Sequence, residues 1–242
     1  MNSKNPTPEE EARLLQKLLT TRTALIDMDG VLYDSMKYHT LAWQQTITEL
    51  GIACTREEFF LYEGMTGAAT IDLIWQRTYN RPCPPERIKE IYSRKSHIFE
   101  QQGVKEPMPG ADRMLRALRE AAIKRVLVTG SSQQSILSSI SADYPEAFAP
   151  GMRVTAADVV HGKPDPEPYL KGLSLAGSSP EEAIVIENAP LGVRAGKAAG
   201  CYTIAVTTGP IPREAFEKEN ADIIFADMPS FADALSRLLK IL

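Results

Sequence analysis

The sequence predicts an α/β fold, a Rossmann-like three-layer core on a parallel sheet with a helical cap domain inserted into it. Two observations carry that expectation. Short apolar runs alternate with segments of helical period along most of the chain, the pattern of a parallel sheet covered by helices on both faces. One interval breaks the alternation: about 100 residues separate the first and second apolar runs, where a βαβ unit takes about 30. A chain of 242 residues, 43% hydrophobic and 24% charged, has the composition of a globular protein able to bury a sizeable core.

Residues 1–20 read as an N-terminal extension, a polar tail and a short amphipathic helix whose start is signalled by Thr7-Pro8-Glu9-Glu10. Buried strands are expected at Thr23–Asp27, Arg125–Thr129, Ala183–Glu187, Tyr202–Val206 and Asp222–Phe225, each a short apolar run. Helical spacing covers 111–122, 132–141, 166–176, 190–199 and 229–241. The insertion, 36–104, carries its own helices at 36–50, 55–61, 67–79 and 85–101, punctuated by Gly51, Gly64, Gly67 and the run Pro82-Cys-Pro-Pro85. The core is then 21–35 with 105–242, and the hinges between core and cap are expected near 34–36 and 102–107.

The net charge of −4 and the lack of a basic stripe give nucleic-acid binding no electrostatic support. Cys54, Cys83 and Cys201 are odd in number and widely spaced, which suits neither a disulfide framework nor a zinc site. The N-terminus has no apolar core of signal-peptide type and no run is long enough to span a bilayer. A cytoplasmic monomer without a membrane partner is the expectation.

In open α/β sheets ligands bind beyond the carboxyl ends of the strands. Those ends read Asp27-Met-Asp29-Gly30, Thr129-Gly130-Ser131 and Glu187-Asn188, and the loop Gly162-Lys163-Pro164-Asp165-Pro166 adds a lysine. Side chains at i and i+2 of an extended segment point the same way, so Asp27 and Asp29 can address one substrate. A carboxylate is a competent nucleophile for phosphorus, and an aspartyl-phosphate splits one displacement into two easier ones. Asp27 is therefore the expected nucleophile. Asp29, if kept protonated, can protonate the leaving oxygen and later deprotonate the attacking water. Gly30 lets the chain turn sharply beside a bulky phosphate.

Phosphoryl transfer is otherwise positioning and charge neutralisation. The Thr129 hydroxyl and the N–H groups around Thr129, Gly130 and Ser131 can bind phosphate oxygens, and Lys163 supplies a fixed positive charge. Asp27, Asn188 and a backbone carbonyl near Asp29 are oxygen ligands of the kind Mg2+ takes, with Glu187 binding it directly or through water. Singly, each piece also has a structural reading. A DxDG is a common turn, Thr129-Gly130-Ser131 a helix N-cap, Lys163 a solvated charge, and Glu187-Asn188 a cap for a helix starting at Pro190. An EF-hand is excluded because the chain continues as Val-Leu-Tyr after Gly30, and neither Gly162-Lys163 nor Gly196-Lys197 has P-loop spacing.

Together, Asp27-Met-Asp-Gly-Val31, Thr129, Lys163-Pro164 and Glu187-Asn188 resemble, in order and spacing, the four motifs of the haloacid-dehalogenase-like (HAD) hydrolases. The resemblance runs through nearly the whole chain from about Thr23, and the insertion is similar to a C1 cap. Met36-Lys-Tyr-His39…Trp43, Glu63-Gly-Met-Thr-Gly67, Val128-Thr-Gly-Ser131, Gly162-Lys-Pro-Asp-Pro-Glu-Pro168 and Ile186-Glu-Asn-Ala-Pro-Leu-Gly192 look like the β-phosphoglucomutase-like phosphatases, and most like the bacterial inorganic pyrophosphatases of that subgroup. The resemblance implies Asp27 as nucleophile, Asp29 as acid/base, Thr129 and Lys163 as phosphate-binding groups, and Asp27, Asp29 and Asn188 around Mg2+.

Two departures bear on metal and substrate. Many members have Glu-Asp or Asp-Asp where this chain has Glu187-Asn188, so the metal site carries one negative charge fewer. In true β-phosphoglucomutases the segment matching Glu63–Gly67 carries a Lys and an Arg that serve the sugar phosphate; Glu63 and Gly67 stand in those places here. A carboxylate there repels a second phosphate in a water-poor site and suits a metal-rich substrate; it could equally be a solvated loop charge. His39 matches a position the mutases use to couple cap and core. Lys95, on a cap helix, either reaches the substrate or lies on a wet helix face. Hydrolysis of a small phosphate ester or anhydride, inorganic pyrophosphate first, is the expected activity. The alternatives are a phosphosugar mutase and a non-catalytic phosphate-binding protein, the last disfavoured by the joint presence of Asp27, Asp29 and Lys163.

Overall fold

A computed structural model of the protein describes residues 5–103, 106–131 and 134–242. Among the described residues six strands form one parallel sheet: β1 (Thr23–Ile26), β2 (Lys124–Val128), β3 (Arg153–Val154), β4 (Ala183–Glu187), β5 (Tyr202–Val206) and β6 (Ile223–Phe225), in the order β3-β2-β1-β4-β5-β6. The five expected strands are present, with ends shifted by at most a residue. β3 was invisible to apolar periodicity because two residues make no run; it pairs with β2 at the sheet edge through Leu127↔Arg153 and Val128↔Val154.

β1 is buried on both faces, and its pleat explains how. Ala24 and Ile26 share one cluster with Ile184, Ile186 and Ile204, while Leu25 joins Val126 and Val185 in another. Helices α1 (Pro8–Thr20), α6 (Ala111–Glu120), α7 (Gln134–Asp143) and α11 (Met228–Leu239) cover the first face. Helices α8 (Glu167–Ala176) and α9 (Pro190–Ala198) cover the second, and α10 (Arg213–Lys218), too short for a periodic signal, buries Phe216 beside them. The first two residues of the helix expected at 132–141 lie outside the described residues.

α1 starts where Thr7 signals it: the Thr7 hydroxyl accepts from the Glu10 N–H and the Glu10 carboxylate from the Thr7 N–H, a capping box. Its apolar stripe, Leu14 and Leu18, is buried in the main core cluster, so the described part of 1–20 is a layer of the fold. Leu14→Ala is expected to cost about 2–5 kcal/mol in denaturant unfolding, the range for a truncated core leucine; a value near zero would make α1 an appendage.

Between β1 and α6 run α2 (Met36–Glu49), α3 (Arg56–Leu61), α4 (Gly67–Tyr79) and α5 (Pro85–Gln101), close to the sequence reading. They bury a cluster of their own, including Trp43, Ile47, Phe59, Ile71, Ile74 and Ile91. The connections to the core run side by side. Asp34 N–H donates to the Glu106 carbonyl at 2.9 Å, and Lys37 bridges Asp34 and Glu106 at 2.6 and 3.1 Å. Of the hinge expected near 102–107, residues 104 and 105 lie outside the described residues.

Candidate active site

The order of β2, β1 and β4 makes β1 the switch point, and the crevice there is a ligand site by topology. Asp27 continues the line of β1, its N–H bonded to the Ile186 carbonyl at 3.0 Å. Met28 turns into the core while Asp27 and Asp29 turn to the crevice, 5% and 8% exposed, the alternation expected of an extended segment. Gly30 has φ +80, and a Cβ on it would stand 1.8 Å from Asn188 Nδ2. The glycine is needed both for the turn and for the seat of the Asn188 amide.

Lys163, 1% exposed, donates to Asp27 Oδ1 at 2.5 Å, Glu187 Oε1 at 2.6 Å and the Val128 carbonyl at 3.1 Å. That accounts for all three ammonium protons. Glu187, expected at the metal, is turned elsewhere. Its Oε1 accepts from Lys163 and from Tyr169 Oη, both at 2.6 Å, and its Oε2 from the N–H groups of Asn188 and Ala189 at 3.0 and 3.1 Å. Every acceptor position is taken, so Glu187 holds Lys163 in place. A Cβ on Gly192 would stand 1.9 Å from Glu187 Oε1, so only glycine in the first turn of α9 lets the carboxylate lie there. Tyr169 had no part in the expectations from sequence, and Gly192 stood there only as the end of the motif Ile186-Glu-Asn-Ala-Pro-Leu-Gly192.

Asp29 has a different environment. Its Oδ1 accepts from Ser35 Oγ at 2.5 Å and lies 3.0 Å from His39 Nε2; His39 Nδ1 lies 2.7 Å from Lys95 Nζ. A lysine ammonium only donates, so His39 Nδ1 is the acceptor and Nε2 carries the proton given to Asp29. Burial pushes the Asp29 carboxyl up, but His39, Ser35 and Lys95 outweigh it and hold it below the usual carboxylate range. A protonated Asp29 is thus not the resting form of the free site. Lys95 is 2% exposed, over the rings of Phe99 and Trp43 at 4.9 and 5.2 Å, which rules out the wet helix face. Asp27 moves the other way: burial raises its carboxyl, and Lys163 only partly opposes that.

The cap loop lies directly on the core. Glu63 Oε1 accepts from Asn188 Nδ2 at 2.6 Å. A Cβ on Gly130 would stand 2.4 Å from the Gly64 carbonyl oxygen, and one on Gly162 would stand 2.6 Å from Thr66 Cγ2. Glu63 is 8% exposed, not a solvated loop charge; burial raises its carboxyl well above the ordinary range, helped by Asp27, Glu187 and Asp29. Thr129, Gly130 and Ser131 line the same pocket, with the Ser131 N–H donating to Thr129 Oγ1 at 3.0 Å.

The donor set fits a hard cation. Asn188 Oδ1 is buried and has no partner, and a buried orphan acceptor is costly unless something donates to or ligates it. Asp27 and Asp29 face the same crevice. Among the described residues no group of three or more His, Cys, Asp or Glu is placed to hold a metal. A carboxylate with an amide oxygen and a backbone carbonyl near Asp29 suits Mg2+, which keeps several waters and takes one or two carboxylates from the protein. No helix among the described residues is long and apolar enough to cross a membrane.

A parallel sheet with a helical insertion after its first strand, and an acid-and-lysine crevice at the switch point, defines an α/β enzyme acting on phosphate bonds. The chain belongs to the haloacid dehalogenase-like hydrolases, whose family profile matches residues 21–200. Hexitol phosphatase A of Escherichia coli is 35% identical over 185 residues, 75% of this chain and 81% of that protein. The β-phosphoglucomutase of Bacillus subtilis is 26% identical over 194 residues, 78% of this chain and 84% of that one. A solved structure from Bacteroides vulgatus, assigned provisionally as a β-phosphoglucomutase, superposes with a TM-score of 0.89 at 38% identity, over 97% of this chain and 100% of that one. Within the family, the chain is a phosphatase of the β-phosphoglucomutase-like type.

Proposed function

We propose that the protein is a Mg2+-dependent phosphohydrolase that works through an aspartyl-phosphate on Asp27, with inorganic pyrophosphate as its substrate. The observation that carries the substrate is the Glu63–Asn188 contact at 2.6 Å. It brings a cap carboxyl into a site that already holds Asp27, Asp29 and Glu187, with Lys163 between Asp27 and Glu187. Charged, as cations bound beside it would make it, Glu63 disfavours a second bare phosphate: like charges about 4 Å apart cost about 4 kcal/mol at an effective dielectric near 20. It favours a substrate that arrives with divalent cations.

In the first step an Asp27 carboxylate oxygen bonds to phosphorus while the bond to the leaving oxygen breaks. Lys163 orients Asp27 and neutralises charge on the transferring group, and the Thr129 hydroxyl, held by the Ser131 N–H, receives its oxygens with the Gly130 N–H. Ser35 and His39 engage Asp29 Oδ1 and leave Oδ2 free; ionised at rest, Asp29 takes a proton from the attacking water in the second step, while a phosphate leaving group departs without one. Bound Mg2+, held by the Asp27 carboxylate, a backbone carbonyl near Asp29 and Asn188 Oδ1, would supply charge neutralisation at the phosphoryl oxygens. Glu63 orients the Asn188 amide by engaging Nδ2, which leaves Oδ1 toward the cation. With the cap seated, water is excluded from the phosphoaspartate; the paired connections at 34–37 and 106 are the hinge.

Phosphate release measured over pyrophosphate, hexitol phosphates, hexose phosphates and nucleotides, with Mg2+ and with chelator, tests the reading. The expected result is pyrophosphate at the highest kcat/KM and no turnover under chelation. Glu63→Lys is expected to lower kcat/KM for pyrophosphate about 10²-fold more than for a monoester; equal losses would reduce Glu63 to a structural contact. Faster turnover of a hexitol phosphate, the ester class named for the Escherichia coli relative, would replace the substrate. The similarity to β-phosphoglucomutases favours a second reading, and conversion of β-glucose 1-phosphate to the 6-phosphate without phosphate release would establish it.

A further inference from the structure

The far wall of the pocket rests on an absent side chain. Gly67 opens α4, after Thr66, whose hydroxyl caps the Ala69 N–H. A Cβ built on Gly67 would stand 2.1 Å from Tyr92 Cε2 and 2.3 Å from Cδ2, distances that real Cβ atoms do not tolerate. The Tyr92 ring therefore occupies the volume that any side chain at 67 would need. From α5 it packs against the cap cluster, 6.3 Å from the Trp43 ring. Gly67, Tyr92 and Lys95, all from the cap, line the same pocket as Asp27 and Asp29 of the core.

We propose that Tyr92, seated on Gly67, is the residue that limits the size of the leaving group. The ring closes the space beyond the scissile bond, so a compact group of phosphate size fits and a polyol does not. Lys95 is the cation on that wall, which suits a compact anion. The pairing makes Gly67 part of the same filter, since a side chain there would push the ring off its seat. The inference rests on the phosphohydrolase reading but not on pyrophosphate being the substrate.

The experiment compares kcat/KM for phosphomonoesters of rising size, methyl phosphate, glycerol 1-phosphate and a hexitol 6-phosphate, in wild type, Tyr92→Ala, Tyr92→Leu, Tyr92→Phe and Gly67→Ala. The expected result is a rise of tenfold or more in the hexitol-to-methyl ratio for Tyr92→Ala and Tyr92→Leu, within the range that a pocket's steric discrimination spans. Tyr92→Phe should keep the wild-type ratio, because the filter is ring volume and not the hydroxyl. Gly67→Ala should change the ratio although Tyr92 is intact. Melting curves identify any variant that fails to fold, and the remaining members of the set still read the ratio. An unchanged ratio in the folded Tyr92→Ala or Tyr92→Leu variant and in Gly67→Ala overturns the proposal. Wild type inactive on pyrophosphate but size-selective among esters would sink the substrate assignment and leave the filter standing.

Discussion

Asp27→Asn is expected to abolish turnover, by about 10⁴-fold or more as for other nucleophile deletions, while the melting temperature stays level or rises. The two effects separate because the carboxylate is required by chemistry and disfavoured by folding. Burial raises the Asp27 carboxyl although Lys163 opposes it, so the charged form is less favourable in the metal-free fold than in the unfolded chain. A raised acid costs stability as pH climbs from the ordinary carboxylate value to the raised one. An amide carries no such cost. Lys163 keeps Glu187 at 2.6 Å and the Val128 carbonyl at 3.1 Å, and the amide oxygen can still accept from it. Phosphate-release assays and thermal melts in chelator, from mildly acidic to neutral pH, check both halves. The stability gap should favour the variant more at the higher pH. Retained turnover would remove Asp27 as nucleophile.

Lys163→Met should be as inactive and, in contrast, much less stable. Lys163 lies between two buried carboxyl groups and is itself 1% exposed. Its own pKa is raised: burial alone would lower it, but Asp27 and Glu187 more than compensate. Removing one partner of a buried ion pair costs about 3–5 kcal/mol because the remaining charge is stranded. At about 2–4 °C per kcal/mol for a chain of this size, the melting temperature should fall by about 6–20 °C. Glu187 loses one donor but keeps Tyr169 and two backbone N–H groups, so the loss should sit toward the lower end. A melting temperature equal to wild type would mean that the ammonium adds nothing to the stability of the fold. The pair of variants therefore distinguishes a cation that organises the crevice from a charge that serves only the substrate.

How far the sequence reached is clearest residue by residue. Asp27 and Asp29 were legible because an apolar run ends on them and an extended backbone turns both to one side. Asn188 followed from its place after another strand, and Lys163 from the loop Gly162–Pro166. β3 and α10 escaped because two and six residues carry no period. Glu187 was assigned to the metal on its residue type, and only the packing of Tyr169, Lys163 and the first turn of α9 around it reassigned it. Lys95 had two open readings on a helix; its contact with His39, a residue 56 positions away, ruled out the exposed one.

By itself the sequence determined the fold class, the family and the atoms available for chemistry, because strand alternation and strand-end residues are local properties of the chain. The tertiary structure decided what those atoms touch. Glu63 meets Asn188 across 125 residues, Lys95 reaches Asp29 through His39, and the Tyr92 ring settles where Gly67 has no side chain. None of these contacts has a periodic or neighbouring signal. They arise where the cap helices pack on one another and where the cap loop comes down on the sheet.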